Sequence, residues 1–148
     1  MSADRVRILL VEDNAGDVYL FRKALKAAEL NFELTVIDNG AEALAFFQGK
    51  GDYADSPPPD LTLLDLNLPK NDGIEVLRVI RRNERFANVP VVVTSSSPSL
   101  PSQAAHEHLE VTRYIPKPPD LEDFLKIGET LKHVLFHSRS CPSDAETP

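Results

Sequence analysis

Four short apolar runs in this chain end on groups that can carry charge or hold a phosphoryl oxygen. Val6 to Val11 ends on Glu12-Asp13-Asn14, and Leu61-Thr62-Leu63-Leu64 ends on Asp65. Val89 to Val93 ends on Thr94-Ser95-Ser96-Ser97, and Val111 to Ile115 stops at Pro116-Lys117-Pro118-Pro119. If these ends meet, the Glu12, Asp13 and Asp65 carboxylates repel by about 4 kcal/mol per pair, at about 4 Å and an effective dielectric near 20. A hard divalent cation with oxygen ligands relieves that repulsion, Mg2+ being the natural choice, and Lys117 adds a second positive charge. Such a site can take a phosphoryl group, with Asp65 as nucleophile and Lys117 and the Ser95 hydroxyl holding its oxygens. A single strand-terminal Asp usually closes a turn, and an acidic pair before a helix usually serves its dipole. The whole set, rather than any one member, points to chemistry.

The elements that must position these groups follow from periodicity. Strands are expected at 6–11, 32–37, 61–65, 89–95 and 111–115, each bounded by turn residues. Helices are expected at 15–28, 41–47, 74–80, around 102–109, and 121–136, with Asp17 near the start of the first as a helix signal. Gly49 to Asp60, with Pro57-Pro58-Pro59, reads as a loop. Strands alternating with helices require βαβ units, so the fold class is α/β: a doubly wound five-stranded parallel sheet in the flavodoxin-like order 2-1-3-4-5. The strand ends named above then share one edge, where ligands bind in open sheets of this kind.

With 148 residues, 42% of them hydrophobic, the chain is long enough for one domain and short for two. Residues 1–137 are expected to form that domain and the polar stretch 138–148 a disordered tail, with no output domain. Sixteen basic against 23 acidic residues give a net charge of −7, which argues against direct contact with nucleic acid or an anionic membrane. Neither an apolar leader nor a membrane-length apolar run is present, and the single cysteine, Cys141, fits a reducing compartment, so a cytoplasmic location is expected.

On Val11-Glu12-Asp13-Asn14, Leu63 to Pro69 with Asp72-Gly73, Pro90 to Ser96, and Tyr114 to Pro118, the chain resembles the receiver domains of two-component response regulators. The order and the spacing, 30 positions from Asp65 to Ser95 and 22 from Ser95 to Lys117, are the family's. The resemblance implies that Asp65 is the phosphoacceptor and that Asp13 and Asp65 bind Mg2+, with the Asn67 main-chain carbonyl as a third ligand and Glu12 acting through water. It further implies that Ser95 is the switch hydroxyl, Tyr114 the aromatic that follows it, and Lys117 the phosphate partner. Ser replaces the more frequent Thr at the switch, and although Thr94 stands beside it, the spacing selects Ser95. The 49–60 loop, the Leu66 to Gly73 run and the Leu109 to Ile115 segment look most like regulators paired with bacterial phytochrome histidine kinases.

Such a protein is a signalling phosphoacceptor, catalysing only its own phosphorylation and dephosphorylation. A small hydrolase turning over an aspartyl-phosphate is the alternative, but dehalogenase-like phosphatases place a second Asp two residues after the nucleophile, where this chain has Asn67. A dinucleotide fold lacks its glycine fingerprint here, and a pseudo-receiver would not need every chemical group. His133 and His137 have helix spacing suited to a metal but no third ligand, and His106 and His108 would not share a helix face. The last helix carries Leu121, Phe124, Leu125, Ile127, Leu131, Val134, Leu135 and Phe136, more apolar surface than one packed stripe of roughly 100° uses. A homodimer through that helix is the expected partner arrangement, beside the sensor kinase.

Overall fold

The computed structural model describes residues 5–68, 73–96 and 109–139. Five strands, β1 (Val6–Val11), β2 (Phe32–Ile37), β3 (Leu61–Asp65), β4 (Val91–Ser95) and β5 (Arg113–Pro116), form one parallel sheet in the order β2-β1-β3-β4-β5. The register sets Val11 opposite Leu64, Asp65 opposite Thr94, and Ser95 opposite Pro116, so the carboxyl ends of the strands fall on one edge. This is the expected doubly wound arrangement. The helix anticipated around 102–109 lies outside the described residues except for Leu109, which is not helical; Pro69 to Asp72, Ser97, His106, His108 and the segment from 140 onward also lie outside them.

Alternation along the buried strands feeds two cores. Leu9, Val11, Leu64, Val91 and Val93 face Phe46 and Phe47 of α2 (Gly40–Gln48) and Ile74, Leu77 and Ile80 of α3 (Gly73–Arg82). Ile8, Leu10, Leu61, Leu63 and Val92 face Phe21 and Leu25 of α1 (Ala15–Ala27) and the apolar side of the last two helices. Both faces of the central strands are therefore sealed, which explains why they read as continuous apolar runs.

Helix α1 starts because the Asn14 side chain accepts the Asp17 N–H, and α2 starts in the same way on Asn39. Gly49, at φ 67°, ends α2 in the left-handed conformation that glycine adopts without strain. The loop that follows is anchored: Tyr53 donates its hydroxyl to Glu42 Oε2 at 2.7 Å and stacks edge-on against Phe46.

Two expected boundaries shift for local reasons. Strand β4 begins at Val91 because Pro90 has no N–H for the ladder. Strand β5 begins at Arg113, and Thr112 just before it is tied to Val91 twice, its N–H bonding the Val91 carbonyl and its hydroxyl accepting the Val91 N–H. The single helix expected over 121–136 is two, α4 (Leu121–Leu125) and α5 (Ile127–Arg139). At the break the backbone tightens, Glu129 N–H bonding the Lys126 carbonyl three residues back. Just beyond it Gly128 packs so closely on α1 that a Cβ there would lie 2.0 Å from the Ala24 carbonyl oxygen. Most of the apolar surplus on these helices is absorbed by this packing. Phe124, Ile127, Leu131, Val134 and Leu135 are buried, with Phe124 edge-on to Phe21, while Leu121 and Phe136 remain exposed.

Candidate functional site

Backbone bonds just beyond the ends of β1, β3 and β5 fix the chain where the candidate side chains leave the sheet. The Glu12 N–H bonds the Ile37 carbonyl, the Leu66 N–H the Thr94 carbonyl, and the Lys117 N–H the Ser95 carbonyl. Gly73, opening α3, sits where a Cβ would lie 2.5 Å from Leu66 Cα, so only glycine lets the following helix fold back against the end of β3. Around this edge, Lys117 Nζ lies 2.8 Å from Asp17 Oδ2, 2.9 Å from Glu12 Oε1 and 3.3 Å from Asp65 Oδ2. Asp65 Oδ1 accepts the Asn67 backbone N–H at 2.9 Å, and Glu12 Oε2 accepts the Asn14 N–H at 3.2 Å.

Burial makes these charges consequential. Glu12 is 1% and Asp65 2% exposed, whereas Asp13 is open to solvent. Burial pushes the Glu12 carboxyl up from its ordinary 4.5 to about 7; the Lys117 contact pulls it down, and the Asp65 charge pushes it up again. Burial alone would lower the Lys117 ammonium's affinity for its proton. The close contacts with Asp17 and Glu12 and the Asp65 charge outweigh it, and the net direction is up.

Glu12, Asp13 and Asp65 each offer an oxygen within 4.8 Å of the other two, and among the described residues no other trio of Asp, Glu, His or Cys does so. Glu12 Oε1 is buried and, despite its closeness to Lys117, receives no aligned hydrogen bond. An all-oxygen set with an unsatisfied buried lone pair fits a hard divalent cation. The His133 and His137 ring centroids lie 3.8 Å apart, tilted at 44°, on the exposed side of α5, and among the described residues no third metal ligand joins them.

The two neighbouring hydroxyls separate clearly. The Asn67 side-chain amide donates to Ser95 Oγ at 3.1 Å and to Ser96 Oγ at 3.3 Å, which ties Ser95 to the residue already bonded to Asp65. Thr94 Oγ1 is buried without a hydrogen-bond partner. Tyr114, on β5, is half-buried against the α2 and α3 core. Asp17, which in the sequence reads as a helix-start signal, also belongs to the site. It supplies the shortest contact to Lys117. Its place in the first turn of the helix that directly follows Glu12-Asp13 was the available sign.

The response regulator receiver domain family matches residues 8–128. The response regulator Rcp1 of Synechocystis is 38% identical over 136 residues, covering 92% of each chain. The crystal structure of the phosphorylated cyanobacterial phytochrome response regulator RcpA superposes with a TM-score of 0.81 at 35% identity, covering 94% of this chain and 99% of that one. The Mn2+-bound form of Rcp1 gives 0.80 at 38%, with 93% and 99% covered.

Proposed function

The chain belongs to the response regulator receiver family, and we propose that Asp65 is the carboxylate on which it accepts a phosphoryl group. Receivers take that group from a histidine kinase. The observation that carries the assignment is the Lys117 ammonium set against a buried, strand-terminal Asp65 beside two further carboxylates. A carboxylate oxygen of Asp65 forms the new P–O bond as the P–N bond of the donor phosphohistidine breaks, its electron pair returning to the imidazole. Lys117 holds phosphoryl oxygens, and the Asn67 N–H fixes the carboxylate plane. Asp13, Asp65 and the Asn67 carbonyl, with Glu12 through water, would hold a divalent cation, in our reading Mg2+, which would neutralise charge on those oxygens. Ser95 exchanges its Asn67 partner for a phosphoryl oxygen, the differential contact a two-state switch needs, and Tyr114 follows it. The test is incubation with acetyl phosphate followed by intact mass. One hydroxylamine-labile phosphoryl group is expected with Mg2+, and labelling that persists in excess EDTA sinks the metal-dependent reading.

The receiver unit in this reading covers the family match over 8–128 and, because α5 continues to Arg139, reaches two residues past the expected boundary at 137. Likeness to RcpA supports a phytochrome histidine kinase as donor, and phosphotransfer no faster from such a kinase than from unrelated ones would refute that pairing. The kinase's ATP and the single cysteine support a cytoplasmic location, to be checked by cell fractionation. Among the described residues no helix is long and apolar enough to cross a membrane. Pairing with a second copy through α5 is supported by Phe136, 53% exposed on that helix. Phe136→Asp should shift sedimentation toward monomer, and a wild-type protein that is monomeric at high concentration ends the proposal. Val134 is buried and cannot serve the same test, because Asp there would strike the core.

A further inference from the structure

Resting on Asp65 as the phosphoacceptor, we propose that Asp17 is a positioning residue for Lys117, holding its ammonium back from Asp65 and thereby limiting how tightly the site takes a phosphoryl group. An ammonium has three N–H donors, and three carboxylate oxygens lie within 3.3 Å of Lys117 Nζ. A phosphoryl group on Asp65 brings further oxygens to the same cation, where they compete with the hydrogen bond that Lys117 already donates to Asp17. Glu12 is the partner that stays, since separating it would leave a buried charge unpaired.

Asp17 is the partner that yields. Its side chain is 24% exposed, and it sits in the first turn of α1, where the helix dipole and water stabilise a released carboxylate. Breaking its 2.8 Å charge-assisted bond still opposes the phosphorylated state, and its remaining negative charge opposes the added phosphoryl charge. The Asp17 backbone is held independently, its N–H bonded to Asn14 Oδ1 at 2.9 Å, so Asp17→Asn removes the charge and keeps the helix start. No other carboxylate competes for Lys117 from a position that solvent reaches, among the described residues.

The experiment is calorimetric titration of beryllium fluoride, a phosphoryl mimic, into the full chain with Mg2+. Asp17→Asn should bind it about threefold to tenfold tighter than wild type, the size expected of one partly exposed charge-assisted contact. Asp17→Glu should behave as wild type, and the Asn effect should vanish in a Lys117→Met background. A purely structural Asp17 would move the thermal midpoint and leave this affinity alone. Equal or weaker binding by Asp17→Asn, or an effect that persists without Lys117, overturns the inference while the phosphoacceptor reading stands. Failure of the wild type itself to bind the mimic removes both. If Lys117→Met does not fold, a crystal structure of Asp17→Asn decides instead: Nζ should close on Asp65 Oδ2 from 3.3 Å, and an unmoved ammonium overturns the inference.

Discussion

Strands β1 and β3 carry acidic residues at both of their edges, and the two edges use them in opposite ways. At the amino edge Asp60 is a closure. Its Oδ2 accepts the Arg7 backbone N–H at 2.8 Å while its own N–H bonds the Arg7 carbonyl, in contact with solvent. At the carboxyl edge Glu12 and Asp65 are buried, and with Asp17 they converge on one ammonium. A single exposed carboxylate on neutral donors is satisfied and inert. Two buried carboxylates and a partly exposed one on a single cation leave excess negative charge that a metal or a proton must answer, and this is the condition under which a strand end becomes reactive.

The widest separation between the edges is expected from removing the acceptor. Asp65→Asn should lose all hydroxylamine-labile phosphoryl incorporation, read by intact mass, whereas Asp60→Asn should keep it; stable labelling of the Asp65 variant would erase the contrast. Next in size, Lys117→Met leaves three carboxylates without their cation and should cost about 3–5 kcal/mol in urea unfolding with EDTA present. A divalent cation should restore part of that loss. A cost unchanged by metal would mean that packing, not charge, is what Lys117 contributes.

The Glu12 carboxyl provides a third measurement. Its folded pKa, about 7, lies above its ordinary 4.5, so the folded state retains a proton that the unfolded chain releases between those values. Metal-free stability should be highest in this respect below pH 4.5 and should decline as pH rises through 7. Divalent-cation affinity should run the other way, weakening as pH falls below 7, because the ion needs the ionised carboxylate. Glu12→Gln should flatten the stability slope, and a slope that survives in that variant would assign it elsewhere. The smallest effect belongs to the amino edge: Asp60→Ala should cost no more than about 1 kcal/mol and leave metal affinity unchanged.

Much of the site was legible because strand ends are punctuated locally. Asp65 before Asn67 and Pro69, and Lys117 between prolines, mark where apolar runs stop, and the βαβ alternation then puts those stops on one edge. The break at Lys126 was not legible, since Leu121 to Phe136 keeps a helical apolar pattern through it. Its visible neighbour is a tertiary contact, the approach of Gly128 to Ala24. The same packing absorbed apolar residues that the pattern alone would have left for a partner.

The sequence by itself determined the sheet order, the identity of the strand-terminal groups and the family, because periods of 2 and 3.6 residues and turn chemistry are carried by neighbours along the chain. Tertiary structure alone decided which groups touch. Asp17 and Lys117 stand a hundred positions apart and meet at 2.8 Å, and Ser95 rather than Thr94 takes the Asn67 amide because of how the ends of β3 and β4 lie together. Burial was likewise decided there: Glu12 and Asp13 are adjacent acids, yet one is sealed and raised to about 7 while the other faces water. Neither charge strength nor contact distance is a property of a residue type, since both are set by what the rest of the fold places around it.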